Sequence, residues 1–304
     1  MTMLARTALL GVLISACGDR SEPAAPPATP TLAPPDASAA IARPRDLEPV
    51  TELQDVFTGM IHVPEGKWVT KLASPARDHL GTHWPARPAS VYNFSYPFYV
   101  DRTEVTVAEY RACVEKGACR EPRLSAEFKN TWKDDAACTR ETGNWWLPGR
   151  DDHPVTCILL PDAHAYCLHL GKRLLWSTEW QYAARGPNHW IYPWGNKLPT
   201  CKTLVFWSES KPACTPSSTR PVGTTKLDVS PFGVMDLAGN VSEYAIEDER
   251  AYETMHYIDT YSTFGGGITS PTIEIDKHER HKFVNPGVGF RCAYSEKSFW
   301  PYGR

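Results

Sequence analysis

The stretch Pro-Phe-Gly-Val-Met-Asp-Leu-Ala-Gly-Asn-Val-Ser-Glu-Tyr, residues 231–244, is the segment around which the fold is organised. In it, Asp236 and Glu243 lie on either side of a Gly-Asn pair that is typical of a turn. Carboxylate and carbonyl oxygens are the ligands that calcium prefers, and a glycine lets the backbone turn its carbonyls toward an ion. From the spacing alone, a calcium site and a solvated turn both remain open.

Four blocks of sequence, in order, resemble the formylglycine-generating enzyme family, also called sulfatase-modifying factors. The segment 231–244 is similar to the family signature F/Y-G-L-x-D/N-M-x-G-N-V-W-E-W, with Ser242 and Tyr244 in place of its two Trp residues. The other blocks are 96–106, 153–174 and 177–196. The resemblance covers roughly residues 50–304 and implies a loop-rich α+β domain, an elaborated C-type-lectin-like fold.

The resemblance also implies one structural calcium site. In the family, the positions that match Asp236 and Glu243 provide side-chain oxygens, and those that match Gly239 and Val241 provide carbonyl oxygens. A second calcium site of the family is not expected here. Its Asn position falls on Lys202, whose cationic side chain would repel the ion, and its Asp position falls near Cys214.

The catalytic segment is where this chain departs from the family. Family enzymes oxidise a substrate Cys to formylglycine with oxygen and a copper ion that two Cys residues hold, since soft sulfur ligands suit Cu(I). Here the two positions fall on Ser270 and Ile275, and there is no Cys from Ser262 to Arg291. We therefore expect neither copper nor a catalytic residue. A non-oxidase binding or scaffolding module is the favoured interpretation, with a formylglycine-generating oxidase as the alternative.

A histidine cluster in the same segment gives a third hypothesis, a non-haem metalloenzyme. His278 and His281 are close in sequence, and His256 could approach them to hold iron or zinc. The charged residues between and beside the first two histidines, such as Glu279 and Arg280, favour an ordinary solvated loop instead.

Eight cysteines follow Cys17, and an even number behind an export signal favours disulfides over metal clusters, because there is no C-x-x-C pair. The resemblance implies that Cys167 pairs with Cys292. Proximity and elimination suggest the remaining three pairs, which are Cys113–Cys119, Cys138–Cys157 and Cys201–Cys214.

The N-terminal segment predicts export and anchoring. Residues 1–17 read as a lipoprotein signal peptide: a basic residue precedes a short apolar run, and Ile-Ser-Ala-Cys ends at Cys17, the expected lipidation site. Residues 18–49 form a Pro/Ala-rich tether that is expected to be disordered, because it has almost no large apolar residues. The domain occupies residues 50–304. We expect a bacterial cell-envelope protein, at the periplasmic face or the outer membrane.

The expected partners are a membrane, through the N-terminal lipid, and an unknown protein or glycan. The net charge of −3 argues against a nucleic acid.

Local patterns predict several elements. Apolar alternation predicts a strand at 96–100, and Thr106 with Glu109 predicts a capping box for the next helix. A buried strand is expected through Val155, Cys157 and Leu159. A helix is expected over 162–170, and a further one is expected to have Ser177 as its N-cap.

Overall fold

A computed structural model describes residues 57–69, 91–127, 137–188, 190–197, 218–246, 261–266 and 284–296. The chain divides into two units, residues 1–40 and residues 41–304, and all described residues belong to the second. In the described part of the chain, no helix is long and apolar enough to cross a membrane.

Short strands and three helices make up the described structure. The strands are β1 (Met60–Val63), β2 (Gly66–Val69), β3 (Val91–Phe94), β4 (Phe98–Asp101), β5 (Arg173–Leu174), β6 (Ser242–Ile246), β7 (Tyr261–Phe264), β8 (Val288–Gly289) and β9 (Cys292–Tyr294). The helices are α1 (Val107–Glu115), α2 (Leu160–His169) and α3 (Ser177–Arg185). Two 3-10 turns lie at Ser125–Glu127 and Asn144–Trp146.

Three small sheets bring distant parts of the chain together. The largest has the order β1-β4-β9-β5, and its pairings are antiparallel. Strands β2 and β3 form a separate antiparallel pair. In the third sheet, β6 pairs antiparallel with β7 and parallel with β8. Because β9 pairs with both β4 and β5, the last strand in the described part of the chain lies inside the largest sheet, beside a strand from the first described segments.

Helix α1 begins as its sequence predicts. The Thr106 hydroxyl accepts a hydrogen bond from the Glu109 amide, and the Glu109 carboxylate accepts one from the Thr106 amide at 2.8 Å. This satisfies two amides that the helix itself leaves without partners. The Gly117 amide donates to the Val114 carbonyl after the helix has ended, at a positive φ that glycine adopts easily.

Two local predictions were wrong. Helix α3 has Trp176, not Ser177, as its N-cap, and the Glu179 carboxylate accepts the hydrogen bond of the Trp176 amide. The segment Val155 to Leu159 is not a strand. Its Val155 amide donates to Val105, but Cys157 has a φ of 64°, which ends any extended run.

Disulfides connect the described elements at three places. Cys113–Cys119 closes a loop after α1, Cys138–Cys157 joins two loops, and Cys167–Cys292 joins α2 to β9 across 125 residues. These are the pairings expected for these six cysteines. The pair Cys201–Cys214 lies outside the described residues.

Two clusters of buried apolar residues make up much of the core in the described part of the chain. One surrounds Tyr110, Tyr166 and Phe290, whose rings pack together beneath α1 and α2. The other surrounds Phe98 and Trp180, between the largest sheet and α3. A group of buried charged residues belongs to neither apolar cluster.

Candidate functional site: a buried acidic cluster

Four carboxylates and one guanidinium are buried close to one another. They belong to Glu104, Asp228, Asp236, Glu243 and Arg291, each no more than 1% exposed. Hydrogen bonds between backbones bring their segments together: the Val105 amide donates to Phe290, and the Met235 amide donates to Arg102. We call these five residues the acidic cluster.

Arg291 is the centre of the cluster. Its Nε and Nη2 donate to the two oxygens of Glu243 at 2.7 and 2.6 Å. The remaining donors reach backbone carbonyls of Asp101, Arg102, Met235 and Asp236. The guanidinium is therefore fully engaged, and two parallel bonds to one carboxylate are the strongest arrangement that an Arg–Glu pair offers.

Glu243 has a further partner besides Arg291. The indole Nε1 of Trp180, on α3, donates to its Oε2 at 2.8 Å. Glu243 lies on β6. Side chains on both faces of that strand are buried, including that of Glu243. Glu243 is thus a paired carboxylate in the core rather than part of a solvated turn.

Asp236 lies in the turn that precedes β6. Its backbone has a φ of 58°, in the left-handed region that Asp tolerates better than most residues. Its Oδ2 accepts a hydrogen bond from the Gly223 amide at 2.5 Å. Burial raises the pKa of Asp236, and the Gly223 hydrogen bond opposes that shift.

Asp228 is held beside this turn. Its Oδ2 accepts from the Ala238 amide at 2.9 Å, and its carbonyl accepts from the Asp236 amide. Its other carboxylate oxygen, Oδ1, has no hydrogen-bond partner among the described residues. Burial raises the pKa of Asp228 to about 8, since the charged form loses its hydration.

Glu104 lies in the block 96–106 and was given no functional role by the sequence-based predictions. Both of its carboxylate oxygens are buried and have no hydrogen-bond partner in the described part of the protein. Burial raises the pKa of Glu104 well above its usual value, and the neighbouring Asp236 raises it further. The sequence context of Glu104 gave no signal of this, since Arg102, two residues earlier, is a ready local partner for an exposed carboxylate.

The charge balance of the acidic cluster is unfavourable as it stands. Fully ionised, four carboxylates would face one guanidinium, and that guanidinium neutralises Glu243. A buried charge without a counter-charge costs several kcal/mol or neutralises itself by a shifted pKa. The remaining acids therefore attract either protons or a cation.

The donors of this cluster fit calcium in kind. They are hard oxygens, they carry uncompensated negative charge, and Glu104 and Asp228 present oxygens without partners. Among the described residues, no three or more His, Cys, Asp and Glu side chains already form a metal-holding group. An ion here would need backbone carbonyls, such as the predicted ones of Gly239 and Val241. The calcium site at Asp236, Gly239, Val241 and Glu243 stays a prediction.

The structure does not describe the other predicted positions. Ser270 and Ile275, the histidines His256, His278 and His281, and the lost-site positions Lys202 and Cys214 are all outside the described residues, as is Cys17.

Two adjacent tryptophans, Trp145 and Trp146, pack under the loop that carries them. Trp145 is buried against Tyr110, and the Arg111 guanidinium lies 4.6 Å from the centre of its ring. Trp146 packs against the same apolar cluster. These two aromatics are thus tucked beneath their loop and are not free to bind a partner.

The chain is similar to known proteins along most of its length. Residues 47–296 match the sequence profile of the sulfatase-modifying factor enzyme 1-like domain. The chain is 27% identical over 276 residues to the bovine (Bos taurus) inactive C-alpha-formylglycine-generating enzyme 2, covering 77% of this chain and 87% of that protein. It is 28% identical over 218 residues to the bovine formylglycine-generating enzyme, covering 62% of this chain but only 57% of that enzyme.

Solved structures agree on the fold. PvdO from Pseudomonas aeruginosa superposes with a TM-score of 0.57 at 20% identity, over 77% of this chain and 93% of PvdO. CarF gives a TM-score of 0.52 at 20% identity, over 77% of this chain and 97% of CarF. The predicted loop-rich α+β fold is confirmed. The profile match covers most of the chain, and the chain accordingly belongs to the sulfatase-modifying factor (formylglycine-generating enzyme) family.

Proposed function

We propose that this protein is a non-oxidase member of the family, a binding or scaffolding module that is exported and held at a bacterial envelope by a lipid on Cys17. The observation that carries the proposal is the catalytic segment, in which Ser270 and Ile275 stand where the copper-binding cysteines of the enzymes fall. A hydroxyl and an alkyl group cannot replace two thiolates as ligands for Cu(I).

The described cysteines support the same proposal. All six are in disulfides, so the described part of the protein offers no thiol pair that could hold copper instead. A similar protein carries the name "inactive", so a family member without the oxidase activity has a precedent among relatives. A shared fold does not by itself imply a shared activity, and the residues of the catalytic segment argue against oxidase activity in this protein.

The structural role that we propose for calcium is independent of catalysis. One ion at the 236–243 turn would stabilise the folded domain by mass action, since the unfolded chain has no preformed site. The module would bind its partner, a protein or a glycan, through the loops that the fold presents.

The decisive experiment is a copper-dependent oxidation assay on a Cys-containing sulfatase peptide, read by mass spectrometry for formylglycine. The full chain is compared with the Mycobacterium tuberculosis formylglycine-generating enzyme, to which it is 34% identical over 146 residues, as the positive control. We expect product from the control alone. Formylglycine from this chain, lost on omission of copper, would overturn the proposal and restore the oxidase alternative.

A free-thiol count with metal analysis complements the assay. For the domain of residues 50–304, which excludes Cys17, we expect no free thiols, no copper and one calcium ion when it is produced under oxidising conditions. Two free thiols together with bound copper would again favour an oxidase.

A further inference from the structure

We infer that His153 makes the attachment of residues 218–222 to the loop of residues 144–154 sensitive to acid. When the imidazole takes up a proton, Arg150 is displaced and the segment 218–222 separates from the loop. Four side chains hold this attachment, and we call them the histidine network: Asn144, Arg150, His153 and Thr219. None of them belongs to the acidic cluster or to the sites predicted from sequence.

The histidine network is buried and joins two segments that are far apart in sequence. Asn144, His153 and Thr219 are each no more than 6% exposed. The Nδ1 atom of His153 lies 2.7 Å from the hydroxyl of Thr219, and the Asn144 amide donates to the same hydroxyl at 3.0 Å. The Arg150 Nη1 atom donates to the Thr219 carbonyl at 3.3 Å. Polar contacts from which water is largely excluded thus hold the segment that begins at residue 218.

One tautomer of His153 accounts for these contacts. The Arg150 Nη1 atom lies 3.0 and 3.1 Å from the two ring nitrogens. A guanidinium can only donate, so one ring nitrogen must be an acceptor without a proton. A proton on Nδ1, donated to Thr219, leaves Nε2 to accept from Arg150. The Thr219 hydroxyl then donates to the Oδ1 atom of Asn144 at 3.2 Å. The histidine network therefore needs a neutral imidazole.

A second proton on the ring removes the acceptor that Arg150 uses. Nε2 becomes a donor, and two cations then face each other at 3.1 Å where little solvent screens them. Arg150 is only half-buried, so its side chain can move into solvent. Its departure breaks its hydrogen bond to the Thr219 carbonyl. Protonation of one ring therefore weakens the attachment of the other segment.

Two charged groups act directly on the His153 ring. Burial lowers the pKa of His153, and the Arg150 guanidinium lowers it further. The Asp152 carboxylate, 3.9 Å from Nε2, opposes this shift, but its side chain is mostly exposed to solvent. The net effect favours the neutral ring while the two segments are in contact.

The elements packed against His153 carry further charged residues with other roles. On α1, Arg111 pairs with Asp151, and Glu109 belongs to the capping box. On the segment 218–222, the side chain of Arg220 is exposed. In the described part of the chain, Arg150 is thus the cation whose contact with the ring a second proton would disrupt.

The direction of the pH effect follows from the lowered pKa. A histidine exposed to solvent has a pKa of about 6.5. Because the attached form holds His153 at a lower pKa, the separated form binds the proton more readily. Separation is therefore favoured as the pH falls below about 6.5, and above that pH the ring is neutral in both forms.

The test is hydrogen exchange of the full chain at pH 5 and pH 7.5, measured by mass spectrometry and corrected for the intrinsic rate. It follows peptides that contain Val222, whose amide donates to the Asp152 carbonyl at 2.9 Å. The variant His153→Gln is compared with His62→Gln, at an exposed position on β1. A glutamine can accept from Arg150 and donate to Thr219 without titrating.

We expect wild type and His62→Gln to lose protection at Val222 at pH 5. The loss should reach about tenfold for each unit by which attachment lowers the pKa of His153. His153→Gln should keep its protection at both pH values. The readout is local because Asp228, whose raised pKa favours the folded state at low pH, acts on global stability in the opposite direction.

Two results would overturn the inference. One is equal protection of the wild-type segment at both pH values. The other is an acid-induced loss that persists in His153→Gln, because another group would then be the one that titrates. If His153→Gln does not fold, Arg150→Met removes the second cation and should diminish the acid-induced loss, and an undiminished loss in that variant would also contradict the inference.

Discussion

The Arg291 guanidinium and the Glu243 carboxylate form two hydrogen bonds of 2.7 and 2.6 Å in a site from which solvent is excluded. Glu243→Gln would leave Arg291 charged and unpaired in the core. We expect a loss of about 3–5 kcal/mol in the free energy of unfolding, measured by denaturant titration. Asp151→Asn, at an exposed pair with Arg111, should cost less than about 1 kcal/mol. Equal losses in the two variants would show that the buried pair has no special weight.

The protonation of Asp228 predicts a pH-dependent stability. Its pKa is raised to about 8 in the folded state, so the folded protein binds more protons than the unfolded chain between the ordinary Asp pKa and about 8. Stability contributed by this group is therefore complete at acidic pH and is lost as the pH rises through that window. In calcium-free buffer, the melting temperature should fall from pH 5 to pH 9, and Asp228→Asn should reduce the slope. If the melting temperature of Asp228→Asn fell with pH as steeply as that of wild type, Asp228 would not be the group that titrates.

Gly265 is predicted to be sensitive to substitution. Its φ is 77°, and a Cβ atom there would lie 2.6 Å from the carbonyl oxygen of Leu237. Gly149 has a similar φ of 69° but open space around it. Gly149→Ala should therefore lower the free energy of unfolding by about 1–2 kcal/mol, because alanine is strained in the left-handed region. Gly265→Ala should lower it by more, because the new Cβ atom also collides with the Leu237 carbonyl. Chemical denaturation of both variants provides the comparison.

Two disulfides predict a graded loss of stability. In the chain-entropy description, a cross-link stabilises more when it closes a longer loop. Replacing both Cys167 and Cys292 by Ala, which opens a loop of sequence separation 125, should cost about 5 kcal/mol. The same change at Cys113 and Cys119, with a separation of 6, should cost about 2 kcal/mol. Reversed ranking in thermal unfolding would show that native packing, not loop length, determines the effect.

Calcium removal is the remaining prediction. If an ion binds the folded state alone, calcium at about 100 times its dissociation constant adds about 2.7 kcal/mol to the free energy of unfolding. Chelator should lower the melting temperature of wild type and should not change the melting temperature of Asp236→Asn. An identical melting temperature of wild type with calcium and with chelator would remove the calcium proposal.

Features that depend on neighbouring residues were predictable from sequence. The capping box of Thr106 and Glu109 was correct, because both hydrogen bonds lie within one turn of helix. The fold followed from blocks of sequence in a fixed order. The N-cap of α3 was displaced by one residue, because the Glu179 carboxylate caps Trp176 through its amide and Ser177 is not needed for that role.

Features that depend on tertiary contacts were not predictable. Glu104 sits in a turn with ordinary local chemistry, and its burial results from contacts with segments much later in the chain. The alternation of apolar residues at 155–159 did not reveal the left-handed backbone of Cys157, since that conformation is rare for residues other than Gly, Asn and Asp. Glu243 was recognised as important, but its partner Arg291 could not be identified before β6 and β8 were known to lie side by side.

The position of Cys292 sets the order in which the domain can be completed. Cys113, Cys119, Cys138 and Cys157 all precede it in the chain, so their two short-range cross-links can form before residue 292 has been exported. The bond from Cys167 and the strand β9, which lies inside the largest sheet, must wait until residues 292–294 have followed. Assembly therefore proceeds from the local bridges to the long-range one. A truncation that removes the last strand should leave the two local bridges intact while the domain around them stays open.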